Sequence, residues 1–248
     1  MCSSQVCCVN FLFPLSDKPE TLAQILSPLF PIREMLPIEM GRYVTFEWIG
    51  QRDYLCELKS SKGQRTRGAN FTSADAAVMF NRTDGSKQVV LIEWKYTESY
   101  SGTPLKKSKS GIDRTSIYRR LFDLEDCPID KNLLLDFDSL FYEPFYQFMR
   151  QQLLANEMEK AQEFGAHIVS VLHIAPAHNE DFRTITSPDL KVLGESATQV
   201  WKKLVKNPDQ FTSVATEQLF GKISVDKLPE IKTWIEYIQA RYGWIRES

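Results

Sequence analysis

Three consecutive stretches decide how this chain folds: Ala74-Asp75-Ala76-Ala77-Val78-Met79-Phe80, then Asn81-Arg82-Thr83-Asp84-Gly85-Ser86-Lys87, then Val89-Val90-Leu91-Ile92-Glu93-Trp94-Lys95. Asp-Gly between two apolar runs is a strong short-range hairpin signal. The second run is apolar at every position from Val89 to Ile92, which predicts a strand covered on both faces, as in the middle of a mixed α/β sheet. Glu93 and Lys95 follow it directly. Bringing a carboxylate and an ammonium to the end of such a strand is costly unless each is paired or coordinated. Standing at i and i+2, they share one face of the sheet.

The register of the hairpin decides whether Asp75 joins them. A turn centred on Asp84 sets Asp75 opposite Glu93, and a turn centred on Gly85 sets it opposite Lys95. Either places the three side chains on one face, with neighbours about 4.5–5.5 Å apart. A two-residue Asp84-Gly85 turn puts Asp75 on the other face, and a bulge or bend near Asp75 is then needed to restore the cluster.

Two carboxylates and a lysine on one face suit phosphodiester hydrolysis. Asp75 and Glu93 offer hard oxygen donors of the kind that hold Mg²⁺ or Mn²⁺, and the Trp94 carbonyl is a further donor. A cation so held would grip a phosphate oxygen and acidify water. Lys95 would orient that water or offset the charge developing on phosphorus.

Ser73-Ala74-Asp75, an apolar strand, a turn and Ile92-Glu93-Trp94-Lys95 resemble the PD-(D/E)XK nuclease superfamily of restriction endonucleases, resolvases and recombination exonucleases. The family's catalytic Asp, Glu and Lys fall on Asp75, Glu93 and Lys95, with Ala74 where a Pro is common. A bacterial branch of the superfamily is similar over a longer stretch, through Ser3-Ser4-Gln5 with Asn10, Phe46-Glu47 and Lys95-Tyr96-Thr97-Glu98. The resemblance covers residues 1–175 and is strongest over 67–100. It implies a restriction-endonuclease-like α/β core, a four-stranded mixed sheet flanked by helices, and it supplies no substrate. Many members add a carboxylate from an early helix or strand, for which Glu47 and Glu57 are the candidates.

Working outward, Tyr43 to Ile49 alternates and is β-branched or aromatic, which predicts a strand. Ser16 to Glu20 looks like a helix start, with Leu22, Ile25, Leu26 and Leu29 as its apolar stripe. Glu143-Pro144 opens a long helix that the pattern carries to Phe164, with Gly165 just past its end. Gln147 and Gln151 share one face of it, beside Arg150, and can face a phosphate or a water. Ile168 to Ile174 is a second buried strand, so strand, helix and strand make a parallel βαβ unit. His173 within it reads as a core histidine. From Ser196 onward the chain reads as helical, with Trp201, Leu204, Trp234, Ile235 and Ile238 packing inward. No linker divides the chain: a single unit over 1–248 is expected, with a core over 1–176 and a helical extension over 177–248.

The net charge of −2 hides an uneven distribution. Lys106, Lys107, Lys109, Arg114, Arg119 and Arg120 crowd one stretch, and Lys59, Lys62, Arg65 and Arg67 another. Cations placed after the catalytic strand neutralise phosphates and position a duplex without reading its sequence. Arg67 and the six cations from Lys106 to Arg120 are therefore the expected nucleic-acid contacts, and a charged loop is the competing reading. Five cysteines, an odd count with Cys2, Cys7 and Cys8 crowded at one end and no framework spacing, argue against a disulfide scaffold, and the lack of a C-x-x-C pair with three scattered histidines argues against zinc. Apolar stretches end before the roughly 20 residues a membrane span needs, and no cation precedes the apolar N-terminus as in a signal peptide. A cytoplasmic protein is expected.

The leading expectation is thus a Mg²⁺- or Mn²⁺-dependent nuclease acting on nucleic acid, with DNA favoured and a homodimer allowed. A catalytically silent binding or interaction protein on the same fold is the alternative, which the acidic net charge favours. A carboxylate hydrolase of a small molecule is the third reading.

Overall fold

The hairpin closes in the register that sets Asp75 across from Glu93. In the computed structural model, which describes residues 3–57, 64–67, 71–108, 111–221, 223 and 229–246, strand β3 (Ala74–Arg82) pairs antiparallel with β4 (Lys87–Trp94), Ala76 facing Ile92 and Asn81 facing Lys87. The turn is a three-residue loop, Thr83-Asp84-Gly85. The Gly85 amide donates to the Arg82 carbonyl at 3.0 Å and the Arg82 amide to the Ser86 carbonyl at 2.8 Å. Gly85 has φ 88°, the left-handed conformation that ends such loops and that glycine adopts without steric cost. The odd-length turn fixes the register.

Around this hairpin lies a mixed sheet in the order β1-β3-β4-β5-β6, with β2 also on β3. Strand β1 (Ile32–Leu36) pairs with the far half of β3 and β2 (Val44–Trp48) with its near half, so the two share one edge. Strand β5 (Ile168–Ala175) runs parallel to β4, and β6 (Phe211–Ala215) parallel to β5. The expected mixed α/β sheet is present, and among the described residues it has six strands instead of four. Two were hidden in the sequence: β1 is a short edge strand among prolines, and β6 has a weak five-residue pattern inside a stretch that reads as helical.

Strand β4 is covered on both sides. Val89 and Leu91 face a core built with helix α4 (Phe145–Lys160) and helix α5 (Ala197–Leu204), including Phe148, Leu153 and Trp201. Val90, Ile92 and Trp94 face a second core made by helices α1 (Ser4–Leu12), α2 (Pro19–Leu26), α6 (Thr216–Phe220) and α7 (Lys232–Arg241). All five of these β4 side chains are fully buried.

The C-terminal stretch is built into this second core. The Phe11 ring lies 5.0 Å from Trp94, 4.9 Å from Phe220 and 5.2 Å from Tyr242. Trp234 Nε1 donates to the Asn10 carbonyl at 2.9 Å, and Asn10 Nδ2 to the Tyr242 hydroxyl at 2.8 Å. Residues near the C-terminus therefore hold α1 against β4, and the first turn of α1 reaches the sheet end where Glu93 stands.

Other boundaries depart from the sequence pattern. Helix α1 buries Cys7, Cys8, Phe11 and Leu12 on one face, but apolar Val6 and Val9 lie off that face, so its sequence shows little contrast between faces. Helix α3 (Arg114–Phe122) lies within the basic stretch, capped by Asp113, whose side chain accepts from the Thr115 amide at 2.9 Å. Helix α4 ends at Lys160 instead of Phe164, and Gln162, Phe164 and Gly165 take positive φ. The cause is Glu163, turned inward to accept from Trp48 Nε1 at 2.9 Å, the Gln51 amide at 2.8 Å and the Tyr54 hydroxyl at 2.7 Å. Cys7, Cys8 and Cys127 are buried free thiols and Cys56 is an exposed one. Among the described residues no helix is long and apolar enough to cross a membrane.

Candidate active site

At the end of the sheet where β4 finishes and β3 begins, the protein has a cavity of about 480 Å³ whose lining side chains are all polar or charged. Strand β4 delivers Glu93, and Lys95 follows one residue past it, its amide bonded to the Ile174 carbonyl of β5 at 2.8 Å. Glu93 is 2% exposed and Lys95 6%. Burial is tolerated because the two form an ion pair, and Gln151 of α4 donates to the other Glu93 oxygen. A buried pair is stable only when its remaining polar atoms find partners, and the long crossover helix supplies one.

Register alone sets Asp75 on the face of Glu93, and the strand geometry changes beside it. Ala76, Val78 and Phe80 face the α1 side, yet Ala74 belongs to the α4-side core. Its neighbour strand behaves likewise: Phe46 packs on the α1 side and Trp48 on the α4 side. The pairs Phe46–Ala76 and Trp48–Ala74 keep one register, so no residue is inserted. The alternation breaks between them, at Asp75 and Glu47, and Glu47 takes φ 50°. A non-glycine residue there costs about 1–3 kcal/mol and persists only where its surroundings enforce it. Both carboxylates line the same cavity. Asp75 Oδ2 accepts from the Trp94 amide at 2.7 Å, which ties it to β4 just beyond the last paired residues.

Electrostatics make this a site of competing demands. Burial and the facing Glu93 carboxylate push the Asp75 carboxyl well above the usual range, against the pull of Lys95 and the Trp94 amide. Burial favours a neutral Lys95, but Glu93, Tyr100 and Asp75 outweigh it and hold the ammonium charged. Two close carboxylates in a low-dielectric pocket repel unless a cation lies between or beside them.

The supporting residues divide. Glu47 is in the cavity, held by Gln5 Nε2 at 2.6 Å and by the Ser73 hydroxyl at 2.9 Å. Gln147 and Gln151 both line it. Glu57 does not: it accepts from the Thr72 amide and hydroxyl and the Tyr118 hydroxyl, each at 2.7 Å, and braces the loop before β3. Ser3, Ser4, Glu98 and Arg150 also line the cavity. The first turn of α1 becomes a wall only because the C-terminal helices pin α1 to β4, which no local pattern reveals. Glu98, held by the Ser4 hydroxyl and donated to by the Tyr96 amide at 2.7 Å, is the last residue of the Lys-Tyr-x-Glu stretch. Behind them Glu143 is pushed up by burial, and one of its oxygens has no hydrogen-bond partner among the described residues.

Most of the expected basic contacts are engaged within the protein. Arg67 makes two hydrogen bonds to Glu39, at 2.8 and 2.6 Å, and lies 4.8 Å from the Trp48 ring. Lys106 pairs with Asp138 at 2.6 Å. Arg119 stacks on Phe137 at 4.4 Å, and Arg120 donates to the Tyr54 carbonyl at 3.0 Å. Lys107 is exposed, and Arg114 lies over the Tyr146 ring at 5.5 Å. Lys59, Lys62 and Lys109 lie outside the described residues. His173 is a core residue, fully buried between the Phe148 and Phe182 rings and held neutral by burial.

Among the described residues no three His, Cys, Asp or Glu side chains converge as a ready cation cage. The donor set still fits Mg²⁺, which keeps several waters and is commonly held by one or two carboxylates together with substrate phosphate. Asp75 and Glu93 offer two carboxylates of this kind, and a divalent cation would relieve the repulsion from Glu93 that adds to burial in lifting Asp75.

Comparison with known proteins agrees with this architecture. A family model described as restriction endonuclease associating with ARP matches residues 1–243. No curated protein and no solved structure matches the chain. A mixed sheet whose central hairpin carries Asp75, Glu93 and Lys95 to one polar cavity, and a family match over nearly the whole chain, place this protein in the family of restriction endonucleases associating with ARP.

Proposed function

We propose that this protein is a metal-dependent nuclease that hydrolyses phosphodiester bonds in DNA, in the cytoplasm, with Mg²⁺ or Mn²⁺ held by Asp75 and Glu93. The observation that carries the reading is the meeting of two opposed carboxylates and a buried, charged lysine in one polar cavity. When bound, a divalent cation supplies polarisation of a phosphate oxygen and acidification of water. Asp75 and Glu93 contribute oxygen ligands, and the Trp94 amide keeps the Asp75 carboxylate turned toward the cavity. Lys95 offsets the negative charge that grows on phosphorus as the bond is attacked, and its burial strengthens that effect by excluding water. Gln151 holds Glu93 from the opposite side, and Gln147 and Arg150 face the space a phosphate takes. The wholly polar lining favours a polymer backbone over a small ligand, since small-molecule pockets are mostly apolar.

The test is cleavage of single-stranded, duplex and branched DNA, with RNA alongside, in the presence and absence of Mg²⁺ or Mn²⁺. Asp75→Ala and Lys95→Ala should each abolish metal-dependent cutting while the fold stays intact. Cutting by both variants at the parent's rate refutes the assignment. One observation favours a silent binding protein instead: both Glu93 oxygens are already engaged, by Lys95 and by Gln151. Tight binding that needs no metal, with no cleavage of any substrate, establishes that second reading.

A further inference from the structure

Beside the candidate site lies a second hollow of about 310 Å³, and Arg150 forms part of the wall of both. Its other walls include Ile112, Arg114 and Ile117 from α3 and the residues just before it, with Phe71 and Tyr146. The guanidinium carbons of Arg114 and Arg150 lie 5.5 and 5.1 Å from the centre of the same ring, that of Tyr146. Two cations therefore flank one aromatic side chain next to the candidate active site.

Among the described residues, neither cation is saturated. Arg114 donates to the Leu105 carbonyl at 3.1 Å and has no carboxylate within ion-pair distance among the described residues. Arg150 uses Nε on the Thr72 hydroxyl at 2.8 Å, and Glu57, its ion-pair partner, stands 3.9 Å away. Glu57 is itself occupied by Thr72 and Tyr118. The remaining guanidinium nitrogens have no partner among the described residues and can meet phosphate in the planar geometry that suits it.

The size is equally selective. A volume of about 310 Å³ is at the small end of ligand pockets, which span about 300–1,000 Å³. That volume suits a single nucleotide better than a duplex. Half-buried Ile112, Ile117 and Phe71 beside arginine match the mixed apolar and cationic surroundings in which single-stranded bases are held.

We infer that this hollow receives the nucleotide next to the bond to be cut, unpaired from its complement, with Arg114 and Arg150 on the flanking phosphates. The inference rests on the nuclease reading and adds a substrate class to it: strands with an unpaired nucleotide at the cut, such as single strands, flaps and frayed ends, in preference to continuous duplex.

The test uses the full chain and 20-nucleotide DNA carrying 2-aminopurine at successive positions, single-stranded or duplex, with EDTA present for binding and Mg²⁺ for cleavage. Expected is an affinity about tenfold higher for the single strand, and one position whose fluorescence responds to binding. Ile112→Trp or Ile117→Trp, each filling the hollow, should remove that response and most of the preference, and Arg114→Gln should weaken single-strand binding. Melting curves that match the parent exclude misfolding, and one folded filling variant suffices. Equal affinity for single strand and duplex, or an unchanged fluorescence response in a folded filling variant, overturns the inference. Binding with these differences but no cleavage in Mg²⁺ or Mn²⁺ refutes the nuclease reading and leaves the hollow's role standing. Cleavage without them refutes the hollow alone.

Discussion

The buried pair Glu93–Lys95 should dominate the stability of this site, and a double-mutant cycle can measure it. The two residues are 2% and 6% exposed and joined by an ion pair. Removing one partner of such a pair costs about 3–5 kcal/mol, because the other charge stays buried without compensation. Here Glu93→Gln leaves Lys95 facing the Asp75 carboxylate, so the cost should fall near about 3 kcal/mol. Lys95→Met leaves Glu93 and Asp75 without their cation, and should cost about 4 kcal/mol. The double variant removes both charges together. It should cost no more than the worse single change, which gives a coupling of about 3 kcal/mol, the upper end for residues in contact. For a chain of this length the single changes correspond to about 6–16 °C in melting temperature. Urea unfolding followed by tryptophan fluorescence gives all four corners of the cycle. Additive losses, about 7 kcal/mol in the double variant, would refute the argument, as would single variants within about 1 kcal/mol of the parent.

Three further outcomes are expected. Glu163→Ala orphans the Trp48, Gln51 and Tyr54 donors and should cost about 3–5 kcal/mol in urea unfolding, because each lost partner was a charged acceptor. Glu47→Gly should be more stable than Glu47→Ala by about 1 kcal/mol, since φ 50° strains alanine and not glycine; the reverse order would mean the backbone relaxes there. Under the proposed function, Mg²⁺ at ten times its dissociation constant should stabilise the parent by about 1.4 kcal/mol and leave Asp75→Ala unchanged, which calorimetry can read without any cleavage assay.

Much of the sheet was readable locally. The hairpin, the doubly covered β4 and the parallel β5 all follow from runs whose apolar pattern has one satisfactory burial. Strands β1 and β6 and helix α1 were not readable, because a short edge strand, or a helix with apolar residues on its open face as well, carries little periodicity. The end of α4 was missed for a different reason. Gly165 is a plausible helix terminator, but the three hydrogen bonds made by Glu163 to the segment after β2 unwind the chain earlier than propensity predicts.

The site divides in the same way. By itself the sequence determined that Glu93 and Lys95 share a face, since strand parity depends on nothing beyond the next residue but one. It also narrowed Asp75 to registers set by an Asp-Gly turn. Only the tertiary structure chose among those registers, through a three-residue loop ending at Gly85 with positive φ. It also brought Glu47, from a strand with no local link to the hairpin, into the cavity beside Asp75. The first turn of α1 is placed there by the C-terminal core and Gln151 by the packing of α4 on the other face of the sheet, contacts that no local window contains. Pairwise register and packing at long sequence separation carry that information, whereas periodicity encodes only which face of an element is buried.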